Sequence, residues 1–347
     1  MMVVDESQRI KNPSAARTKR AIELGKGAVS RRIASGTLVS NSPLDLFGQY
    51  EFLGRGMLGT SSYRAFVAEY SQVLPATHPL VRNISAKTRG TPQIVARDEE
   101  GNPIYRNTDK LASLMAPHTF RVTKADCLDL PEKLYQTRYF DLAREQWRDY
   151  EAIRDNMRWH RDNGAIDTFT SLTLINKLRQ VTSGFLIVDG EPTELTRSAD
   201  RMAACEDLLE DVQWPVVIWA SFREELSQLE RRLTAAGHRV VTYHGGTAHG
   251  ARQEAVDSFQ SGDADVFLGH PAAAGTGLTL TRAHTVVYYS CSFSLEERSQ
   301  SEDRTHRIGT HHPVVYIDLV GAGTIDEDIA ASLQRKAAVA EEIMAAL

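Results

Sequence analysis

The sequence predicts an α/β protein made of two parallel-sheet domains with helical insertions between them. Three observations carry that expectation. The last third alternates short β-branched runs with amphipathic helical stretches, the pattern of strand–helix–strand units on a parallel sheet. The chain has 347 residues, enough for two hydrophobic cores. Its first residues, "MMVVDES", read as a second, separate strand closed by two acids, and a helix-rich middle divides it from the last third.

The elements follow in order. "MMVVDES" is an apolar run ending in Asp5-Glu6, a Walker B arrangement. At the carboxyl end of such a strand, the Asp holds Mg²⁺ through water and the Glu activates the attacking water. Next, "RRIASGTLVSNSPLDLFGQYEFL" gives a strand-like run, the small hydroxyl-bearing Ser35-Gly36-Thr37, and a Pro43-led helix. Residues 54–110 are Gly-rich and irregular, with a surface hairpin expected in "QIVARDEEGNPIY" around an acidic Gly-Asn turn. Residues 141–182 read as helices, and 187–200, "IVDGEPTELTRSAD", as a linker.

In the last third the strands are "VVIWA" (216–220), "RVVTYHG" (239–245), "ADVFLGH" (264–270), "TVVYYS" (285–290) and "PVVYIDLV" (313–320). Between them, Leu226, Leu229 and Leu233 share one helical face, with Gly237 as terminator. Ala255, Val256 and Phe259 share another. The last helix starts at "TIDE", with Thr324 as N-cap, Glu327 closing a capping box, and an apolar stripe of Ile325, Ile329 and Leu333. Ala274-Gly275-Thr276-Gly277 is a loop suited to a nucleotide or a nucleic-acid backbone. In "ERSQSEDRTHRIGT", Gln300, Arg304 and Arg307 are spaced four and three, which places them on one helical face. Paired arginines suit a transferring γ-phosphate, where an arginine finger supplies about 10³–10⁵ in rate.

Composition narrows the class. With 42% hydrophobic and 24% charged residues the chain is globular in type and not a disordered tail. No apolar run reaches the roughly 18 residues of a transmembrane helix, so no membrane partner is expected. With an acid as early as Asp5, no secretory signal is expected in these first residues. Cys127, Cys205 and Cys291 are odd in number and lack metal spacing, as suits a reducing cytoplasm. Net charge is −5, yet residues 1–40 carry eight basic against three acidic side chains. A basic patch of that kind can hold a phosphate backbone on an acidic protein.

The ordered set "DESQRIKN", "SGTLVSNSPLDLFGQYEFL", "PHTFRVTKADCLDLPEK", "LRQVTSGFL", "VVIWASF", "AGTGLTLTRAHTVVYYS" and "QSEDRTHRIGT" resembles the switch/sucrose-non-fermenting (Snf) branch of superfamily-two helicases. The resemblance runs from Asp5 to about residue 330. The spelling "YYSCSFSLEERSQSEDRTHRIG" is similar to compact phage and bacterial members, and Ser290 and Phe293 stand where larger eukaryotic members carry an acid and a tryptophan.

The resemblance implies two RecA-like parallel-sheet lobes, the first incomplete at its N-terminus. The division it implies is 1–140 for the first lobe with a surface insertion at about 54–115, 141–205 for helical insertion and linker, and 206–347 for the second lobe. It implies an ATP-dependent translocase on double-stranded DNA, using ATP and Mg²⁺ in the cytoplasm, a bacterial host's if phage-encoded. Asp5 and Glu6 are then the Mg²⁺-holding and water-activating acids. Ser35, Gly36 and Thr37, with Lys11, couple hydrolysis to DNA. Gly275, Thr276 and Gly277 lie at the cleft, and Gln300, Arg304 and Arg307 complete the ATP site from the second lobe.

One family motif is not spelled in the chain. The family's first motif, G-x-x-x-x-G-K-[ST], precedes the acid pair and cradles the phosphates. The nearest string, "GRGMLGTS" from Gly54 to Ser61, has Thr60 where the lysine belongs and follows a helix-like stretch. The expectation is therefore threefold: an upstream segment, a separate chain supplying the loop, or an ATPase-inactive nucleic-acid-binding or regulatory remnant.

Overall fold

A computed structural model describes residues 1–85, 91–162, 168–195 and 200–345. The chain divides into two compact units. Unit 1 comprises Met1–Val122 with Gln334–Leu347, and unit 2 comprises Thr123–Leu333. The strands are β1 (Met2–Val4), β2 (Arg31–Ile33), β3 (Lys133–Phe140), β4 (Phe185–Val188), β5 (Glu191–Glu194), β6 (Val216–Trp219), β7 (Val240–Tyr243), β8 (Val266–Gly269), β9 (Thr285–Tyr288) and β10 (Val314–Gly321).

Unit 2 is built on a six-stranded sheet of order β3-β10-β9-β6-β8-β7, parallel throughout. All five strands expected from the last third are present. β6, β8 and β9 are buried at every residue, because helices cover both faces of a central parallel strand and leave no face for polar alternation. The two-residue period still sorts side chains: Val216 and Ile218 enter one core, Val217 and Trp219 the other. Each such Val or Ile, fully buried, contributes about 1.5–3 kcal/mol. The helices Arg223–Ala235 and His249–Ser261 bury the expected stripes and end before glycines at positive φ, Gly237 (91°) and Gly262 (97°).

Three expectations need correction in unit 2. Residues 133–140, assigned to the first lobe, form β3 and pair along their whole length with β10. Nothing local in "KLYQTRYF" specifies which sheet it joins, since strand pairing is set by distant residues. The linker reading of 187–200 is also replaced. Phe185–Val188 and Glu191–Glu194 form an antiparallel hairpin, turned by Asp189 and Gly190, both at positive φ (52° and 89°). That is the two-residue Asp-Gly hairpin signal; residues 196–199 of the stretch lie outside the described set. The helical reading of 141–182 holds as helices Arg144–Asp162 and Thr168–Thr182, with 163–167 outside the described set. The capping box of the last helix closes differently. Thr324 Oγ1 accepts from the Asp326 N–H, but Glu327 Oε1 takes the N–H of Gly323, one residue before Thr324.

Unit 1 holds a two-stranded parallel sheet, Met2 opposite Arg31 through Val4 opposite Ile33. Its core gathers Leu46, Phe47, Tyr50, Phe66, Tyr70, Leu111 and Met115, joined by Val339, Ala340 and Ile343 of the final helix, Ile325–Ala345. That membership corrects the expectation of a surface insertion at 54–115. Helices Tyr63–Tyr70 and Thr108–Met115 supply core residues there, and Leu58 is buried too. The hairpin around Asp98 is present, its arms joined antiparallel with Arg97 opposite Pro103, and its first arm meets an outside segment with Val95 opposite Val73. Asp98 Oδ1 accepts the N–H groups of Glu100 and Asn102 at its turn. Among the described residues, no helix is long and apolar enough to cross a membrane.

Candidate functional site

The sequence-selected residues fall into two groups, one in each unit. In unit 1, Asp5 and Glu6 follow β1 directly, as the strand reading requires. Asp5 is exposed, and its Oδ1 accepts the Glu6 N–H at 2.9 Å. Glu6 is half-buried and left-handed, with φ 51° and ψ 53°. For a residue with a Cβ this is a strained conformation, costing about 1–3 kcal/mol, and such strain clusters at functional sites.

What holds Glu6 was not evident from the sequence. Gln8 Nε2 donates to Glu6 Oε2, and Gln8 Oε1 accepts from Ser35 Oγ at 2.6 Å. Ser35 Oγ in turn accepts the N–H of Thr37 at 3.0 Å. A continuous path thus runs Glu6–Gln8–Ser35–Thr37. Beside it, Ser7 N–H reaches Ala34 O, and Ser7 Oγ donates to Gln49 Oε1 at 2.7 Å. Gln49 Nε2 then ties to Leu38 O and Asp45 O. Ser7, Gln8 and Gln49 are all essentially inaccessible, so each bond is made where an unpaired polar group is costly.

Gly36 is exposed, with open space where a Cβ would stand. Lys11 is half-buried, its Nζ 2.6 Å from Ser40 Oγ, which also bonds Asp45 Oδ2. The structure therefore brings Asp5, Glu6, Ser35 and Thr37 together, and sets Lys11 on the neighbouring Ser40–Asp45 turn. The string Gly54–Ser61 follows helix Leu46–Leu53 and no strand, with Gly56 and Gly59 at positive φ.

In unit 2, residues Pro271–Thr276 form a 3₁₀ turn in place of the open loop expected, ending at Gly277 with φ 80°. The backbone of Gly275 and Thr276 belongs to that turn; their surroundings lie outside the described set. Helix Leu295–Thr305 packs on it. Gln300 and Arg304 lie on that helix, but Arg307 does not, which corrects the expected shared face. The helix stops because His306 leaves helical geometry, and its Nε2 bonds Pro131 O at 2.7 Å while Thr305 Oγ1 meets the Tyr316 hydroxyl at 2.9 Å. Arg307 is nevertheless brought to the Gly277 segment. Its Nη1 lies 3.1 Å from Thr279 Oγ1, and Leu280 N–H donates to Arg304 O at 2.8 Å.

A buried polar network behind this helix was also missed. Glu302 accepts from Arg298 Nε (2.7 Å), Lys133 Nζ (2.8 Å) and the Tyr135 hydroxyl (2.8 Å). Arg298 pairs with Asp318 and lies 3.6 Å over the Tyr288 ring. Burial pushes the Glu302 carboxyl up, but the Lys133 and Arg298 charges and their hydrogen bonds outweigh it and hold it below the usual carboxylate range. Only the i, i+4 spacing of Arg298 and Glu302 hinted at any of this.

Comparison with known proteins decides the family. The SNF2-related domain matches residues 1–184, and the helicase conserved C-terminal domain matches 200–309. The chain belongs to the SNF2-related family. The Snf resemblance read from the ordered motifs is thereby confirmed. Among curated SNF2-type relatives, the Arabidopsis thaliana TATA-binding protein-associated factor BTAF1 is 26% identical over 99% of this chain and 19% of its own length. The Escherichia coli O139:H28 Zorya protein ZorD is 26% identical over 100% of this chain and 31% of its own. The chain thus spans about a fifth to a third of the length of these relatives.

Two solved structures share the fold. The Sulfolobus solfataricus SWI2/SNF2 ATPase core in complex with dsDNA is 24% identical with TM-score 0.50, covering 98% of this chain and 68% of that one. The C-terminal part of the Fun30 ATPase domain is 19% identical with TM-score 0.51, covering 62% and 97%. The fold is accordingly α/β with RecA-like lobes, as expected.

Proposed function

We propose that this SNF2-related chain is the acid-pair-to-arginine portion of an ATP-driven motor that moves on double-stranded DNA. Unit 1 acts as the first RecA-like lobe and unit 2 as the second. The observation that carries the reading is the hydrogen-bonded path from Glu6 through Gln8 to Ser35 and Thr37. It ties a water-activating carboxylate to a hydroxyl-rich loop able to meet a DNA backbone, which is what coupling hydrolysis to movement requires.

Each residue has a role. Glu6 accepts a proton from the attacking water. Arg304 and Arg307 stabilise charge on the transferring phosphoryl group. Ser35 senses Glu6 through Gln8 and shifts the Gly36–Thr37 backbone. The donor set suits Mg²⁺: Asp5 is an exposed carboxylate that would hold the ion, and no group of three or more His, Cys, Asp or Glu converges among the described residues. A magnesium ion is commonly held by one or two carboxylates, water and substrate phosphates. When bound, Mg²⁺ would neutralise charge on the β- and γ-phosphates. Lys11 and the basic residues of 1–40 supply sequence-independent attraction for DNA phosphates.

The phosphate-cradling loop is proposed to come from polypeptide beyond these 347 residues, in cis or in trans. The test is an ATPase assay on the protein completed with that loop. DNA should stimulate turnover. Glu6→Gln should abolish it while sparing ATP binding, and Arg304→Ala or Arg307→Ala should each lower it by about 10³ or more. The 347 residues alone should turn over little ATP. Wild-type rates in all three variants would sink the assignment, and a completed protein that binds DNA with no turnover would favour a regulatory remnant.

A further inference from the structure

The two edges of the six-stranded sheet are β3 and β7, and they differ in length and exposure. β3 runs eight residues in unbroken register with β10, while β7 has four. Every residue from Leu134 to Tyr139 is exposed. Tyr139 is 64% exposed, Tyr135 58% and Leu134 42%. A long, regular edge carrying apolar side chains pairs with another strand unless a lysine, a proline or a bulge blunts it. Neither a proline nor a bulge interrupts β3. Its two cations are engaged within unit 2: Lys133 Nζ lies 2.8 Å from Glu302 Oε2, and Arg138 Nη2 3.6 Å from Asp211 Oδ2. No strand takes the outer side of β3 among the described residues.

The backbone decides which groups that side offers. In a strand paired parallel, the N–H and C=O of one residue point to one side and those of the next residue to the other. Glu132 O accepts the Val314 N–H, and Phe140 O accepts the Ala322 N–H. The even-numbered residues therefore bond to β10. Lys133, Tyr135, Thr137 and Tyr139 aim their N–H and C=O groups outward.

The side chains choose the occupant. β3 and the residue after it spell "KLYQTRYFD", a string that is self-complementary about Thr137. Let a second copy lie antiparallel, with Thr137 facing Thr137. A two-fold axis through that point, normal to the sheet, keeps the faces of both sheets aligned. Tyr135 then stands opposite Tyr139, Leu134 opposite Phe140, Gln136 opposite Arg138, and Lys133 opposite the exposed Asp141. Aromatic, opposite-charge and Thr–Thr pairs of this kind stabilise antiparallel sheets. The Thr137–Thr137 and Tyr135–Tyr139 pairs also fall on the outward-aimed residues, where an antiparallel ladder exchanges both hydrogen bonds. The neighbouring registers are poorer. Centred on Gln136, the pairing sets Leu134 against Arg138. Centred on Arg138, it sets two guanidinium groups face to face and Tyr135 against Asp141. Both signs of charge lie within one string, so the best complement to the string is the string itself.

We propose that β3 is the docking edge for a second copy of this chain, the two sheets joining into one across a two-fold axis at Thr137. This goes beyond the motor reading and does not rest on it. A single strand pair is a small interface, so the dimer is weak and concentration-dependent.

The test is sedimentation velocity of the full chain across a concentration series. A reversible dimer should appear at about 1–100 μM. Thr137→Lys places two ammonium groups opposite each other, and Thr137→Glu two carboxylates. Thr137 is exposed, so the fold is spared. Each variant alone should weaken the dimer at least about tenfold. An equimolar mixture of the two should dimerise at least as tightly as wild type, because opposite charges then meet at the axis. Recovery in the mixture also shows that both variants fold. A wild-type chain that stays monomeric throughout the series would overturn the proposal, and would leave the edge to an extended segment of another protein. A dimer that survives both substitutions, or a mixture that stays monomeric, would overturn it as well.

Discussion

Glu302→Gln should destabilise unit 2 without touching any group assigned to the reaction. The carboxylate accepts three donors, and two of them, Arg298 and Lys133, are cations. Removing its charge leaves Arg298 buried with Asp318 as its remaining acid. Breaking a buried pair in this way costs about 3–5 kcal/mol. The Lys133 side chain is 25% exposed and Glu302 10%, so the lower end, about 3 kcal/mol, is the better estimate after solvent screening.

For a unit of this size that corresponds to a fall in Tm of roughly 6–12 °C. The pH dependence has a definite sign. The folded pKa of Glu302 lies below its usual value. Its stabilisation is therefore complete above the unfolded pKa, about 4.3, and lost as pH falls through the folded value. Scanning calorimetry of wild type and variant should show the full gap at pH 7 and a narrowing gap below about pH 4. A Tm within 2 °C of wild type at pH 7 (less than about 1 kcal/mol), or a gap that ignores pH, would refute the clamp.

Three further outcomes are expected. Gly48→Ala places a Cβ 2.4 Å from Ile10 O and 2.8 Å from Lys11 O, so backbone must move; urea unfolding should show a loss of about 1–3 kcal/mol, and an unchanged midpoint would mean the helix slides freely. Thiol titration of the native protein should find one fast cysteine, exposed Cys127, because burial holds Cys205 and Cys291 at about 12; fast modification of all three before denaturation would contradict the packing. DNA affinity should fall linearly on a log–log salt plot as counterions are released, and a flat plot would remove the basic N-terminal surface from the interface.

The legible parts of this fold were those coded by short-range pattern. β6, β8 and β9 are continuous apolar runs because helices cover them on both sides, and that is visible in "VVIW", "VFLG" and "TVVY". The helix end at Gly237 was equally plain, since only glycine enters positive φ at little cost, and Gly262 ends the next helix in the same way although the reading did not single it out. The Asp189-Gly190 turn was just as local and was passed over because polar neighbours masked the short β4 run. β3 was illegible for a different reason: an edge strand of mixed polarity carries no mark of the sheet it joins. Arg307 left the expected face because His306 and Thr305 bond Pro131 and Tyr316, partners no helical periodicity can reveal.

The candidate site divides along the same line. Motif spelling located Glu6 and Ser35, but not the bond path that makes them one device. Gln8 and Gln49 are polar residues at positions that read as ordinary turn and helix, yet both are buried, and each takes one partner from far along the chain, Ser35 for Gln8 and Ser7 for Gln49. Gln8 bonds the carboxylate of Glu6, whose backbone is left-handed, and Gln49 fixes the adjoining Ser7. Loss of the Ser35 hydroxyl removes its bond to Gln8 Oε1, and loss of Gln8 removes its bond to the Glu6 carboxylate. Either change lets Glu6 relax toward ordinary backbone geometry, away from the position that two strands and a helix were needed to impose. On the proposed reading, a strained acid tied to a distant hydroxyl responds when that hydroxyl moves, so the strain at Glu6 would itself supply the coupling to Ser35.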